Sequence, residues 1–328
     1  MFIPPWIVFK LFIMVDNKHV ATVTDNISAS EAVMEVLRYF HMFRHPLYSE
    51  EIYKFLRVPI SGSELSELLN VMVANGKLYV LYNLYSLENN HDVFLRRLSG
   101  AEQASGRMGE AYKSGKIIAA FPFVKCVCIS GSLSKGYADK DSDIDFFIVT
   151  QHERLWICRT VLHVFKKLTF LVSKQHSFCM NYFIDEKKLL LDEQNLFTAT
   201  ELATLIPVFN TAIYNQLIQE NKYWMRDYFK NTTADDGIFV ESEKAPVVKY
   251  FTETFFNIFS PGRLNIFLMK LTDKRWRRKW EKRNYPMQDY DLAMKTRWYV
   301  SKQHPLNFQK KILKAQTGVV KEADIISA

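Results

Sequence analysis

Two aspartates separated by a single residue carry the clearest chemical signal in this sequence. Asp143 and Asp145 enter an apolar run, residues 144–149, whose pattern is typical of a β-strand, so both side chains project from the same face. Carboxylates this close repel each other unless a cation lies between them. Mg²⁺ (or Mn²⁺) takes oxygen ligands and leaves positions open for substrate phosphates. We therefore expect both aspartates to be catalytic metal ligands.

A glycine–serine turn precedes the acidic pair. The run GSLSKG begins at Gly131, directly after an apolar strand. Glycine allows the backbone to approach a phosphate closely, and Ser132 with nearby N–H groups can hydrogen-bond its oxygens. Lys135 adds a positive charge, and Ser134 and Ser142 are further candidate nucleotide-binding residues. A phosphate-holding turn beside a metal-holding acidic pair predicts a phosphoryl-transfer site that binds a nucleoside triphosphate.

The combination is more specific than its parts, because a Gly-Ser pair or an Asp-x-Asp alone is common. It is not a Walker A loop, which needs GxxxxGK followed by Ser or Thr. Residues 127–149 resemble the signature of the DNA polymerase beta-like nucleotidyltransferase superfamily, and the resemblance covers residues 122–207. It implies a small mixed sheet flanked by helices, with two metal ions that align the triphosphate and an attacking hydroxyl. The triphosphate contacts and metal ligands carried over by position are Gly131, Ser132, Lys135, Asp143 and Asp145.

The chain departs from the family at the third carboxylate. The family usually has one on the following strand, but residues 177–184 contain no acid. Asn181 is the best positional match, and we include it in the catalytic set as a neutral oxygen ligand that should weaken the second metal. Asp185 could substitute if the register shifts, although a turn role fits it better. Two classes stay open: a nucleotidyltransferase that releases pyrophosphate, and an inactive nucleotide-sensing or nucleic-acid-binding regulator.

The composition, 48% hydrophobic, indicates a folded protein, and we expect an α/β (α+β) fold in five parts. They are an N-terminal arm (1–27), a winged-helix-like module (28–88), a helical connector (89–120), a small mixed-sheet nucleotidyltransferase core (121–209) and a basic helical C-terminal domain (210–328). The apolar residues 1–15 are too short for a transmembrane segment, and whether residues 1–13 are native stays open. The four cysteines lack zinc-site spacing and suit reduced thiols in the cytoplasm.

The winged-helix module is predicted from three helical stretches followed by a hairpin. Its third helix contains Glu64 and Glu67 and no Lys or Arg before Lys77, which is a poor match to a DNA groove. A protein partner is therefore the better expectation for this module.

The basic charge is concentrated near the C-terminus. Residues 263–321 contain 16 Lys/Arg and 4 Asp/Glu, whereas the rest contains 27 and 31. This imbalance predicts RNA or another polyanionic acceptor there. Trp276 and Trp280 lie one helical turn apart among these charges and would either stack on bases or pack on the core. The second interpretation is slightly favoured for the tryptophans. No role is assigned to His152, His163 or His176.

Overall fold

The computed structural model describes residues 27–172, 174–231, 247–258 and 261–316. The predicted N-terminal arm, apart from its last residue, lies outside the described residues, and so does the end of the basic segment after residue 316. The helices are α1 (Ala29–His41), α2 (Ser49–Lys54), α3 (Gly62–Ala74), α4 (His91–Ala119), α5 (Leu155–Thr169), α6 (Leu196–Ala203), α7 (Thr211–Met225), α8 (Val247–Ile258), α9 (Pro261–Glu281), α10 (Tyr290–Ala293) and α11 (Phe308–Gln316). The strands are β1 (Tyr79–Leu81), β2 (Leu84–Ser86), β3 (Val124–Ser130), β4 (Asp145–Thr150), β5 (Cys179–Asp185), β6 (Ile206–Phe209), β7 (Met294–Arg297) and β8 (Val300–Gln303).

The N-terminal part contains three helices and then a hairpin, in the order that the sequence predicts. Helix α1 begins where the Ser28 hydroxyl accepts a hydrogen bond from the Glu31 N–H at 3.2 Å. Helix α3 begins at a capping box, in which Ser61 and Glu64 cap each other's backbone N–H groups. Strands β1 and β2 pair antiparallel. We refer to residues 28–88 as the N-terminal module; that it acts as a winged helix stays a prediction.

The central sheet has six strands in the order β6-β3-β4-β5-β8-β7. Strands β4 and β5 run parallel, and the other neighbours are antiparallel. Alternate side chains of β3 and β4 enter two different apolar clusters. Cys128 and Phe147 belong to the cluster that also contains residues of the N-terminal module and α7, whereas Ile129 and Phe146 belong to the cluster with residues of α4 and α5. This mixed sheet flanked by helices is the α/β architecture that the sequence predicts.

The expectation of an all-helical C-terminal segment is wrong for β7 and β8. These strands form a hairpin that extends the central sheet beside β5. Each has only four residues, and polar Thr296, Ser301 and Lys302 are buried in them. The alternation of apolar and polar residues that identifies a half-buried strand is therefore missing from this stretch. At the opposite end of the sheet, Pro207 lies in β6, an edge strand where a missing N–H is tolerated.

Helix α4 connects the N-terminal module to the sheet. Its 29 residues make it about 43 Å long at the usual rise per residue. It packs against β3 and β6 and continues back along the N-terminal module, so it contacts both parts of the molecule. None of the helices among the described residues is both long and apolar enough to cross a membrane.

Candidate active site

The predicted phosphate-binding turn lies directly against the predicted metal ligand Asp145. Strand pairing places Ser130, the last residue of β3, opposite Asp145, the first residue of β4. Gly131 follows with φ of +68°, and a Cβ atom there would lie 2.4 Å from Asp145 Oδ2. Only glycine combines this backbone conformation with this close approach. Glycine at position 131 is therefore required by the geometry that brings the turn and the carboxylate together.

The turn is closed by its own side chains. It continues as a short 3₁₀ turn, Leu133–Lys135, which ends at Gly136 with φ of +66°. The Ser134 hydroxyl and the Lys135 ammonium donate to the Gly131 carbonyl at 2.9 and 3.0 Å. The Ser132 hydroxyl makes no hydrogen bond within the described part of the chain. Among the predicted serines, Ser132 is thus the one whose hydroxyl is available to a ligand, whereas Ser134 supports the turn.

Lys135 joins the turn to helix α6 through its hydrogen bond to the Gly131 carbonyl and an ion pair. Its Nζ is 2.8 Å from Glu201 Oε1 on α6, and its side chain is 16% exposed. The predicted phosphate-assisting cation is thus already neutralised by an acid that the sequence interpretation did not include. In this position its charge fixes the turn to α6.

The Cys179 thiol interacts with both aspartates, and the Asn181 amide contacts Asp145. The Asn181 Nδ2 donates to Asp145 Oδ1 at 2.9 Å and to Cys179 Sγ at 3.1 Å. The Cys179 thiol in turn interacts with the carboxylates of both Asp143 and Asp145. Asn181 therefore lies where the sequence places it, beside the acidic pair. The sequence indicates only a reduced thiol at Cys179, and strand β5 brings it into the site.

Burial raises the pKa of Asp145 to about 6. The hydrogen bond from Cys179 opposes this shift, and the charge of Asp143 adds to it. A divalent cation bound to this carboxylate would favour its ionised form again, since an opposite charge stabilises a carboxylate.

His176 is a site residue that the sequence interpretation missed. Its Nδ1 lies 2.5 Å from Asp143 Oδ1. The contact results from the parallel pairing of β4 with β5: Ile144 N donates to the His176 carbonyl at 2.8 Å, and Cys179 N donates to the Ile144 carbonyl at 3.0 Å. Only this register, which places the residues preceding the two strands side by side, could have identified it.

Ser142 and Asp185, two other candidates from the sequence, form hydrogen bonds that stabilise turns. The Ser142 hydroxyl accepts from the Asp139 N–H at 2.8 Å, so it closes a turn just before Asp143. Asp185 is fully buried at the far end of β5, where it accepts hydrogen bonds from the backbone N–H groups of Glu153 and Lys187, both at 2.9 Å. Asp185 is therefore a turn residue and does not replace the missing carboxylate.

A small cavity of about 70 Å³ adjoins Asp145 and Asn181. Glu201 lines it from α6, and Lys302 and His304 line it from the C-terminal hairpin. Burial lowers the pKa of Lys302 and, together with the Lys302 charge, lowers the pKa of His304 to about 4. The C-terminal segment thus contributes two nitrogen-bearing side chains to the cavity, Lys302 in β8 and His304 just after it, and burial disfavours the charged form of both; this contribution was not predicted.

A larger cavity of about 590 Å³ lies away from the carboxylates, between α1 and the start of α6. The two arginines that line it, Arg38 and Arg57, are paired with Glu31 and Glu35 at 2.6 and 3.5 Å. It therefore lacks an uncommitted cation among its described lining residues, and we place the candidate active site at the smaller cavity.

The tryptophans of the basic helix α9 pack inward. Trp276 lies under the Arg159 guanidinium, 4.5 Å from its centre, and Trp280 contacts the Tyr285 ring at 5.4 Å. Both border a small apolar cluster around Tyr290 and Met294. The packing interpretation is thus confirmed for these side chains, while the basic residues of the same helix, such as Arg275 and Arg278, are exposed.

The oxygen donors around the start of strand β4 fit a hard divalent cation. Asp143, Asp145 and the amide of Asn181 offer oxygen atoms, which Mg²⁺ and Mn²⁺ prefer. No group of three or more His, Cys, Asp or Glu side chains within the described residues has a metal-binding arrangement. A metal here would accordingly depend on substrate phosphates for its remaining ligands.

Comparison with known proteins agrees with this geometry. Residues 116–206 match the family model described as nucleotidyltransferase domain. The match spans α4's last turn through the start of β6 and includes both aspartates, the glycine–serine turn and Asn181. It is consistent with the DNA polymerase beta-like superfamily. No curated protein and no solved structure matches the chain.

Proposed function

We propose, on the premise that residues 116–206 form a nucleotidyltransferase domain, that the chain transfers an NMP group from an NTP to an acceptor and releases pyrophosphate. Asp143 and Asp145 would hold Mg²⁺ (or Mn²⁺), with Asn181 as a neutral neighbour. When bound, the metal would neutralise phosphate charge and orient the reacting oxygens. The Ser132 hydroxyl and the N–H groups of the turn would bind phosphate oxygens.

The contact between Gly131 and Asp145 carries this proposal. A phosphate-binding turn and a metal-binding carboxylate are useful together only if one triphosphate can reach both. The missing Cβ atom at Gly131 leaves Asp145 Oδ2 in contact with the turn. Catalysis at such a site is mainly positioning and charge neutralisation.

The acceptor is RNA, a protein side chain or a small molecule. The exposed basic residues of α9 favour a polyanion such as RNA, since they carry charge on a surface whose tryptophans are already packed. The buried free cysteines fit a cytoplasmic setting. The exposed outer surface of α3, which includes Glu64 and Glu67, favours a protein partner for the N-terminal module in its predicted winged-helix role.

The test is incubation with each labelled NTP and Mg²⁺ or Mn²⁺, with and without bulk RNA, while pyrophosphate release is followed. We expect release by the wild type and its loss in Asp143→Ala. Asp141→Asn is the matched control, because it removes an exposed acid from the same loop and should leave release unchanged. Equal release by wild type and Asp143→Ala would contradict the proposal.

A second candidate function follows from Asn181. Its amide group, rather than a carboxylate, faces Asp145, so the charge that would hold a second metal is missing. In this alternative the chain binds NTP as a sensor or nucleic-acid-binding regulator without turnover. NTP binding with no pyrophosphate release would favour it, and Asn181→Asp should then restore release by supplying the missing charge. If release is already present in the wild type, the regulator assignment fails.

A further inference from the structure

Three backbone groups of the loop between the phosphate-binding turn and the acidic pair form hydrogen bonds to residues of α4. The first is the Gly136 carbonyl, which accepts from Arg97 Nη1 at 3.1 Å. The second is Ala138, whose N–H donates to the Gly100 carbonyl at 3.0 Å. The third is the Ser142 carbonyl, which accepts from Arg107 Nη1 at 2.6 Å. One helix thus holds residues 136, 138 and 142 of the segment that separates Gly131 from Asp143.

Packing supports the same attachment in the middle of the loop. The Tyr137 ring lies so close to Gly100 that a Cβ atom there would be 2.1 Å from the ring. The Arg96 guanidinium covers the same ring at 4.6 Å from its centre. Loop and helix therefore contact each other through side chains as well as through backbone groups.

Arg97 extends this attachment to the N-terminal module. It is buried, and its donors are divided among three parts of the chain. Nε donates to the Pro46 carbonyl at 3.3 Å, Nη2 pairs with Glu51 Oε1 at 3.0 Å, and Nη1 holds Gly136. Glu51 is itself fixed, because its other oxygen accepts from the Tyr48 N–H at 2.8 Å. A planar guanidinium fixes all of these partners at once, as an ammonium cannot.

We infer that Arg97 and Arg107 are positioning residues that fix the separation between the phosphate-binding turn and the metal-binding aspartates. Through Arg97 and Glu51, the N-terminal module supports the active-site loop of its own chain. The inference rests on the proposed function, and it deepens it by assigning the α4 arginines and the module to the geometry of the nucleotide site. Small displacements of reacting groups cost large factors in rate, so such supports matter even without substrate contact.

The first test measures the loop itself and does not require activity. Hydrogen exchange of the amides in residues 131–142 is compared in wild type, Arg107→Gln, Glu51→Gln and Lys113→Gln. Lys113 is exposed on the same helix and provides the matched control. We expect exchange about tenfold faster or more in the first two variants and unchanged exchange in Lys113→Gln. Unchanged exchange in Arg107→Gln would overturn the inference, whether or not the chain is an enzyme.

The second test uses nucleotide. In Arg107→Gln the half-saturating concentration of magnesium-bound NTP, in binding or in turnover, should rise about tenfold or more while the melting temperature stays near the wild-type value. Arg107→Lys should recover part of the loss, because it keeps the donor charge. If wild type binds no NTP, the proposed function fails while the exchange result still decides the role of α4. Wild-type-like half-saturation in Arg107→Gln, with NTP binding intact, would overturn the positioning role.

Discussion

The turn at Gly131, between the interior strands β3 and β4, and the basic helix α9 both carry residue patterns that indicate phosphate chemistry, yet their side chains have different surroundings in the structure. At the turn, strand pairing brings Gly131 and Asp145 into contact. On α9, Trp276 borders an apolar cluster, whereas basic residues such as Arg275 and Arg278 face solvent, together with the apolar Ile266 and Phe267. A strand–turn–strand pattern fixes both ends of a site, whereas helical spacing identifies a shared face without saying where it points. Patterns with backbone constraints therefore predict sites better than patterns of composition.

The largest effect is expected for Gly131→Ala. The new Cβ atom would meet Asp145 Oδ2 at 2.4 Å, and alanine is strained at φ of +68°. We expect pyrophosphate release to fall about 100-fold and unfolding free energy to fall by about 1–3 kcal/mol. Kinetics and urea unfolding measure the two losses. Gly106→Ala is the control, because that glycine is exposed on α4 with open space around it, and alanine there should stabilise by about 0.5–1 kcal/mol. Full activity in Gly131→Ala would show that the close approach of Gly131 to Asp145 is not needed for pyrophosphate release, which would contradict the comparison.

Trp276→Ala tests the opposite side of the comparison. Because the ring packs against Arg159 and the α10 cluster, its loss should lower the unfolding free energy by about 3 kcal/mol. Affinity for single-stranded RNA should stay unchanged in the folded protein. Urea unfolding and fluorescence anisotropy measure these quantities, with the half-exposed Trp298→Ala as a control expected to cost about 1 kcal/mol or less. A loss of RNA affinity without a loss of stability would show instead that Trp276 stacks on RNA bases.

The same contrast explains how much the sequence could predict. The two strands, the turn and the acidic pair follow from local patterns of period two and from the position of glycine. Gly131, Asp143 and Asp145 could therefore be selected from the sequence alone. His176 reaches Asp143 only through the parallel register of β4 and β5. Lys302 reaches the cavity through a hairpin far along the chain. Long-range pairing decides such contacts, and no local pattern encodes it.

Acid should destabilise the folded protein through His45, whose ring centre lies 5.9 Å from that of Tyr137 in the active-site loop. Burial lowers the pKa of His45 to about 3, with the Arg97 charge contributing, so the folded state keeps this ring neutral. Because the folded pKa lies below the ordinary value, its contribution to stability is complete above about pH 6.5 and declines as the pH falls towards 3. The loss is about 1.4 kcal/mol for each pH unit below 6.5.

Urea unfolding at pH 7.5 and 5.0 measures this loss. His45→Gln should reduce the difference between the two pH values, and His41→Gln, which changes a histidine at the end of α1 away from the active-site loop, should leave it unchanged. An equal difference in wild type and His45→Gln would show that the ring does not carry the acid sensitivity.

The smallest effect is expected for single charges on α9. Arg278 is exposed and would contact phosphate without reading a base. In Arg278→Gln, the slope of log affinity against log salt for single-stranded RNA should become shallower by about 0.7. Glu281→Gln, which removes an acid from the end of the same helix, should instead raise the affinity at low salt. Anisotropy titrations at several salt concentrations measure both changes. If neither variant alters the salt dependence, the charges of α9 interact with solvent and not with RNA. The proposal of an RNA acceptor, which rests on these charges, would then be contradicted.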